Sequence, residues 1–456
     1  MTAGGGKIKH HATMSLAVAM LFLLAFAANA FNIWRITDSG YSADAESYLA
    51  MARAVRNHGD FQGATFRTPV YPLFLAPFLA ADGQVNPRRV AFVQTLLLVL
   101  LVAGAWHFGR RILGLSPAVS ALIAALLGSQ FQLLANAQIA GTEIVATFFL
   151  AVVVFCVAAF ICQPSLWPAL TGGFFCGLLA LTRPQYYFLA PFLALGLAIV
   201  RVNWRFVLLF LLAAVLLQGS WLVRTSRQLG LFLPADSVVF GLREHVAKEL
   251  YAYLNPRDFG FTAEQAEKLT GPDLEARLRV LTEAIDDRYP VREQILRYRA
   301  MVAAGLKNGG LPAFLRQVGL GMTRLLGART GYWESRTVIG AGRHSPFYLR
   351  LAKAAQEAID RWHPWLFCLA GVLLIPLLLG PRSPSSARLI LAFAWLTIGF
   401  NVLICAVSDI PINARFALTM TPFYPFFYLG YGKLLWALMP ASWRGYLSKP
   451  VSLPGK

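Results

Sequence analysis

Three features of this 456-residue chain predict an all-α polytopic membrane protein. Its residues are 57 % hydrophobic and only 14 % charged, with a mean hydropathy of +0.56, whereas soluble domains carry about 25 % charge. The apolar residues gather into blocks of about 17 to 24, long enough to cross roughly 30 Å of hydrocarbon as a helix. Lys and Arg collect in alternate short connections between those blocks, as the positive-inside rule requires. Together these exclude a water-soluble enzyme, a disordered chain and a collagen-like fibre.

The elements follow in order. A tail with Lys7, Lys9, His10 and His11 leads into a first apolar block, Ser15 to Trp34. It exceeds the apolar core of about 7 to 15 residues found in a cleaved signal peptide, so an uncleaved span is expected. Further blocks lie near 90–109, 117–135, 140–162, 166–182, 185–200, 206–222, 364–380, 389–407 and 416–438, about ten spans in all. With the N-terminus inside, Arg110, Arg111, Arg201, Arg205, Arg382, Arg388, Lys433, Arg444, Lys449 and Lys456 all fall on the inner side. The opposing connections, 136–140 and 408–415, are nearly free of them, so both termini are expected in the cytoplasm.

This topology sends two longer segments outward. The first, 35–89, contains Ala45, Tyr48, Leu49, Ala52 and Val55 at helical spacing, which predicts a helix over 43–57. The second, 224–363, holds 21 Lys plus Arg against 15 Asp plus Glu and reads as a small, mainly helical domain. Surface helices are expected at 263–268, 274–287 and 291–307, punctuated by Pro290 and Gly309-Gly310. The chain therefore divides into a transmembrane module at 1–223 carrying the first loop, the 224–363 segment, and C-terminal spans with a tail at 364–456.

The formal charge of +19 would suggest nucleic acid in a soluble protein. No nucleic-acid module accompanies it, so the excess is assigned to inner loops, anionic headgroups or a phosphorylated lipid. Cys156, Cys162, Cys176, Cys368 and Cys405 all sit inside apolar blocks, which predicts buried thiols with neither disulfides nor zinc.

The chemistry-bearing stretch is Asp44-Ala45-Glu46-Ser47-Tyr48-Leu49, continuing through Gly59-Asp60-Phe61 to Arg67-Thr68-Pro69-Val70-Tyr71-Pro72-Leu73 and an apolar run to Leu79 that can lie in the membrane surface. A helix beginning near Ser42 places Asp44 in its first turn, with Tyr48 one turn later on the same face. Glu46 lies about 200° around that helix from Asp44, so the two carboxylates cannot both face one pocket. Taken singly, each group has a structural reading. Asp44 complements a helix dipole, Arg183 and Arg415 snorkel to headgroups, and Glu143 is a salt-bridge partner; yet an ionisable Glu143 at the edge of a span is by default a functional candidate.

At these residues the sequence resembles the GT-C membrane glycosyltransferases, in the branch of the protein O-mannosyltransferases and lipid A aminoarabinose transferases. The likeness comprises the acidic residue with Tyr and Ala at helical spacing, the Gly-aromatic turn and the Arg67-x-Pro69-x-Tyr71-Pro72-Leu73 segment. It continues with Thr142-Glu143, with Gly177 to Pro184 ending in Thr182-Arg183-Pro184, and with Asn413-Ala414-Arg415-Phe416 followed by Pro422 and Pro425, over about residues 15–435. Many relatives carry adjacent acidic residues where this chain has Asp44-Ala45-Glu46. Spacing to Tyr48 aligns Asp44 with the family position; Asp38 is a reserve.

The resemblance implies a GT-C-like fold of about ten spans with outward juxtamembrane helices, and transfer of a monosaccharide from a polyprenyl (undecaprenyl) phosphate donor to a glycan, lipid or protein acceptor. It implies inversion at the outer face of a bacterial inner membrane. Asp44 is then the general base, and Arg67, Arg183 and Arg415 meet the phosphate, with Glu46, Tyr48, Tyr71 and Glu143 in the substrate-binding set. No cofactor is expected; some members of the wider fold use a divalent cation, but the chain lacks a dense outer carboxylate cluster, so no metal is expected either. Tyr332, Trp333, Glu334, Arg336, Arg343 and His344 stay unassigned, and Trp362 to Trp365 read as an interfacial belt. The rival classes are an envelope polysaccharide polymerase or ligase, which should lack the Asp44-to-Tyr48 arrangement followed by Arg67, and a lipid-linked glycan flippase or transporter, which should show paired halves or broken helices.

Overall fold

The computed structural model describes residues 17, 20, 24, 27, 31, 40–42, 44–128, 131–326, 361–362, 365–372 and 386–407. Asp38, Arg415, the 332–344 cluster and the predicted span at 416–438 lie outside the described residues. A two-residue strand β1 (Gly40–Tyr41) precedes helices α1 (Ala45–His58), α2 (Val70–Leu75), α3 (Pro87–Arg111), α4 (Pro117–Gly128) and α5 (Phe131–Ala137). Strand β2 (Ile139–Ala140) then leads into α6 (Glu143–Cys162), α7 (Leu166–Ala180), α8 (Leu189–Ile199) and α9 (Trp204–Leu229). The second long segment supplies α10 (Val238–His245), α11 (Ala263–Thr270), α12 (Leu274–Leu281), α13 (Val291–Gly305) and α14 (Leu311–Leu326), and α15 (Ser386–Val407) follows.

Among the described residues, α3, α6, α9 and the Arg388–Ala406 part of α15 are long and apolar enough to cross a membrane. The expected spans at 15–34 and 364–380 lie mostly, and that at 416–438 wholly, outside the described residues, so the expected count of about ten is not tested by these four. The predicted span at 117–135 holds α4 and α5, with residues 129 and 130 outside the described residues, and the block at 166–182 folds as the fifteen-residue α7, about 22 Å long at the rise of an α-helix.

The apolar helices share one core, in which Leu150, Phe160, Cys176, Leu189, Phe210, Val402 and Cys405 are buried. α7 packs on α9 through Gly172, Gly173 and Gly177. A side chain at Gly173 would run into the Phe210 carbonyl, and one at Gly177 into Leu217, so small residues let the two backbones approach. Leu208, Leu212 and Leu216 on α9 remain exposed, an apolar face suited to lipid.

The second segment has its own core of Val246, Leu269, Leu281, Ile295, Tyr298 and Met301. Thr262 and Gln265 form a capping box at the start of α11, which satisfies two helix-end N–H groups. The helix expected over 274–287 ends its regular part at Leu281 and continues as a wider turn, Thr282–Asp286. α13 stops at Gly305, and Gly309, at φ +98°, permits the turn into α14.

Candidate functional site

Two backbone tethers fix the first loop. β1 pairs in parallel with β2, so Gly40 lies beside Ile139 and Tyr41 beside Ala140, while the Val70 N–H donates to the Leu181 carbonyl at 3.1 Å. The first tether sets the start of α1 against the start of α6. The second sets the Arg67–Val70 turn against the end of α7. Residues far apart in sequence are thereby drawn to one end of the apolar bundle.

Asp44 occupies the N-cap position of α1 rather than its first turn, and its side chain makes no capping hydrogen bond. Its Oδ1 instead accepts from Nη2 of Arg67 at 2.8 Å. Nε of the same guanidinium donates to Ser47 Oγ at 2.9 Å, and the Ser47 hydroxyl donates to the Asp44 carbonyl at 2.7 Å. One side chain therefore fixes the carboxylate, the first turn of α1 and the loop together. The guanidinium lies 5.0 Å from the Tyr48 ring centre and 4.7 Å from that of Phe66, stacking that suits Arg and not Lys.

A second pair lies deeper. Arg183 Nη2 and Glu143 Oε1 are 3.4 Å apart, with only 5 % and 4 % of the two residues exposed. Glu143 begins α6 and carries its charge into the N-terminal end of that helix, where the macrodipole favours it. Arg183 precedes the single helical turn Pro184–Tyr186. In that turn the Gln185 amide donates to Asn401 on α15 at 2.8 Å, so the turn is tied to the last described span.

Tyr48 lies within electrostatic reach of both pairs. Burial pushes its phenol pKa up, opposed by Arg67 and Arg183 and reinforced by Asp44 and Glu143, so it remains a neutral hydroxyl at physiological pH. Its ring meets Tyr71 edge-on at 5.1 Å. Tyr71 is fully buried, and its hydroxyl donates to Gln94 Oε1 at 3.3 Å, so it supports Tyr48 from behind. Glu46 stands apart as well. Its carboxylate is exposed and paired with Arg53 at 2.7 Å, as its angular offset from Asp44 on the helix requires. The group that comes together is thus Asp44, Tyr48, Arg67, Glu143 and Arg183.

Sequence reasoning missed three contributors. Ser47 has no signal beyond its place between Glu46 and Tyr48. Gly141, two residues before Glu143, has one: a Cβ there would sit 2.5 Å from Glu143 Oε2 and 3.5 Å from the Ser42 Cβ. Glycine leaves the carboxylate the space a side chain would take, so any larger residue must displace it. Gly141→Ala is expected to push that carboxylate off its line to Arg183 and destabilise by about 1–3 kcal/mol through overpacking; a lowered Tm in detergent checks it, and an unchanged Tm would refute it. Asp236, a lone carboxylate between apolar Leu233-Pro234-Ala235 and Val238-Val239-Phe240, is the third; its N–H donates to the Thr65 carbonyl at 3.1 Å, and its Oδ2 accepts from the Thr65 hydroxyl at 2.6 Å.

Among the described residues no three His, Cys, Asp or Glu side chains gather as metal ligands would. What the group can do is set by its charges. A part-exposed carboxylate can take a proton from a hydroxyl, and guanidiniums can hold phosphate oxygens in pairs. The fold and this group define a helical membrane protein with paired carboxylates and guanidiniums at one end of its apolar bundle. No family model matches the chain, and no curated protein matches it.

Solved structures similar to it include two bound to a lipid phosphate. One is the archaeal oligosaccharyltransferase AglB from Archaeoglobus fulgidus in complex with an inhibitory peptide and a dolichol-phosphate, 14 % identical over 95 % of this chain and 53 % of that one, with a TM-score of 0.41. The chain thus spans about half the length of that protein. The other is ArnT from Cupriavidus metallidurans bound to undecaprenyl phosphate, 14 % identical over 96 % of this chain and 82 % of that one, with a TM-score of 0.37. The residues of this chain, and neither likeness, carry the functional reading.

Proposed function

We propose that this chain is a GT-C-type membrane glycosyltransferase that moves a monosaccharide from undecaprenyl phosphate to an acceptor at the outer face of a bacterial inner membrane. The observation that carries the proposal is that two ion pairs assembled from distant parts of the chain, Asp44–Arg67 and Glu143–Arg183, both lie within electrostatic reach of Tyr48. Charges of both signs are needed if one substrate must lose a proton while the other leaves as a phosphate.

In the reaction an acceptor hydroxyl, hydrogen-bonded to Asp44, attacks the anomeric carbon from the face opposite the phosphate. The new C–O bond forms as the sugar–phosphate C–O bond breaks, with inversion. The proton passes to Asp44, and the electron pair of the broken bond leaves with the lipid phosphate, whose charge rises from one negative to two. Arg67 and Arg183 stabilise that extra charge, and Arg415, by its sequence position, is proposed to join them. Arg67 is suited to answer both events, because the same guanidinium that holds Asp44 can present its free edge to a phosphate.

Purified protein incubated with undecaprenyl phosphate, and mass spectrometry of envelope glycans and glycolipids from cells lacking the protein, test the proposal together. We expect wild type to retain the lipid, and Arg67→Ala to weaken retention by about ten- to a hundredfold, the worth of hydrogen bonds to a charged group. The deletion strain should lack one glycosyl modification. No retention by wild type, or an unchanged glycan profile, would overturn the reading.

A further inference from the structure

Asp236 is buried, with 7 % of its surface exposed, and lies 171 positions from the Thr65 hydroxyl that donates to its Oδ2. The clamp around it is extensive. Arg224 donates to the Ala64 carbonyl at 3.0 Å, the Trp221 indole to the Pro234 carbonyl at 2.8 Å and the Thr225 hydroxyl to the Leu233 carbonyl at 2.6 Å, while Phe66 meets Phe240 edge-on at 5.6 Å. The first three tie 231–240 and 61–67 to α9, and the Phe66–Phe240 contact with the Thr65–Asp236 bonds ties the two segments to each other, which holds Asp236 against the stretch of loop that carries Arg67.

Its other oxygen, Oδ1, is buried and has no hydrogen-bond partner among the described residues. A structural clamp would not need it. Thr65 and Asp236 already exchange one backbone bond and one side-chain bond, which a neutral amide at 236 could supply as well. Burial pushes the Asp236 carboxyl pKa up, and the Thr65 hydroxyl, the Arg67 charge and Asp236's own backbone N–H only partly oppose that, so the charged form is kept at a cost to stability. Groups retained against stability are expected at functional sites, and a buried polar atom left open calls for an occupant.

Charge narrows the occupant. A carboxylate repels phosphate and accepts from O–H and N–H donors, so the ligand atom is a hydroxyl or ammonium hydrogen. We propose that Asp236 is a substrate-binding residue of the same site, its Oδ1 receiving a hydrogen bond from a hydroxyl or ammonium group of the transferred sugar or of the acceptor. The assignment rests on the transferase reading above.

Asp236→Asn tests it, because the amide preserves shape and the bond from Thr65 but can present an N–H donor where an acceptor is required. We expect Tm to hold or rise, retention of undecaprenyl phosphate to stay within about twofold, and glycan transfer in complemented cells to fall by about ten- to a hundredfold. Lipid-linked sugar extracted from the deletion strain separates the two sources. Weakened retention of that lipid by the variant assigns the bond to the transferred sugar, and unchanged retention assigns it to the acceptor.

Full transfer by Asp236→Asn, in a protein whose wild type retains undecaprenyl phosphate, would overturn this assignment alone. So would a loss of transfer accompanied by a fall in Tm of more than about 5 °C, the signature of a purely structural clamp. A wild type that retains no undecaprenyl phosphate would overturn the transferase reading itself.

Discussion

Asp44→Asn is expected to abolish measurable glycan transfer while leaving the protein folded and in the membrane. The amide keeps an oxygen for Arg67 Nη2, so the loop geometry held by the 2.8 Å contact survives with a weaker bond. What it loses is the capacity to take a proton from the attacking hydroxyl. General-base catalysis contributes typically about 10²–10⁴-fold, and a loss of that size reads as absence of product in complemented cells. The pair is part-exposed, so the loss of stability should be no more than about 1 kcal/mol. The check is mass spectrometry of the envelope glycans alongside the Tm of the purified variant; wild-type product levels would remove Asp44 from the mechanism.

Arg183→Ala should act through stability first. It leaves the Glu143 carboxylate buried beside an emptied space, and removing one partner of a buried pair costs about 3–5 kcal/mol. The variant is expected to accumulate poorly and melt well below wild type. Joining it to Glu143→Gln removes the buried negative charge that Arg183 faced, so the double variant should recover most of the Tm and still transfer no sugar. Recovery of stability without recovery of product separates the structural duty of the pair from its proposed duty at the phosphate. Recovery of both would mean that the pair only supports the fold, and recovery of neither would mean that Arg183 packs rather than pairs.

The contrast between the two pairs follows from depth. Asp44 and Arg67 keep about a quarter of their side-chain surface, enough for a substrate group to reach them. Glu143 and Arg183 keep almost none, and Gly141 encloses the carboxylate further. The outer pair can exchange its partner for a ligand at small cost, whereas the inner pair is closed off, so in the proposed reaction Arg183 acts on the phosphate through its field rather than by contact.

Amino-acid order was enough to mark the class of molecule and to nominate Asp44, Tyr48, Arg67, Glu143 and Arg183 as candidates. Apolar blocks too long for a soluble core dictate helices in lipid. The helical spacing of Ala45, Tyr48, Leu49 and Ala52 gave α1 to within two residues at its start, and the 200° offset between Asp44 and Glu46 separated their surroundings in advance. Those are local properties, set by backbone periodicity within a few residues. The tertiary structure decided which distant charges meet: that Arg67 closes on Asp44 and Arg183 on Glu143, that Tyr71 is spent on Gln94, and that Asp236 reaches Thr65 from 171 positions away. Such pairings depend on how tethers and glycine contacts bring helices together, and no periodicity in a single strand of sequence encodes them.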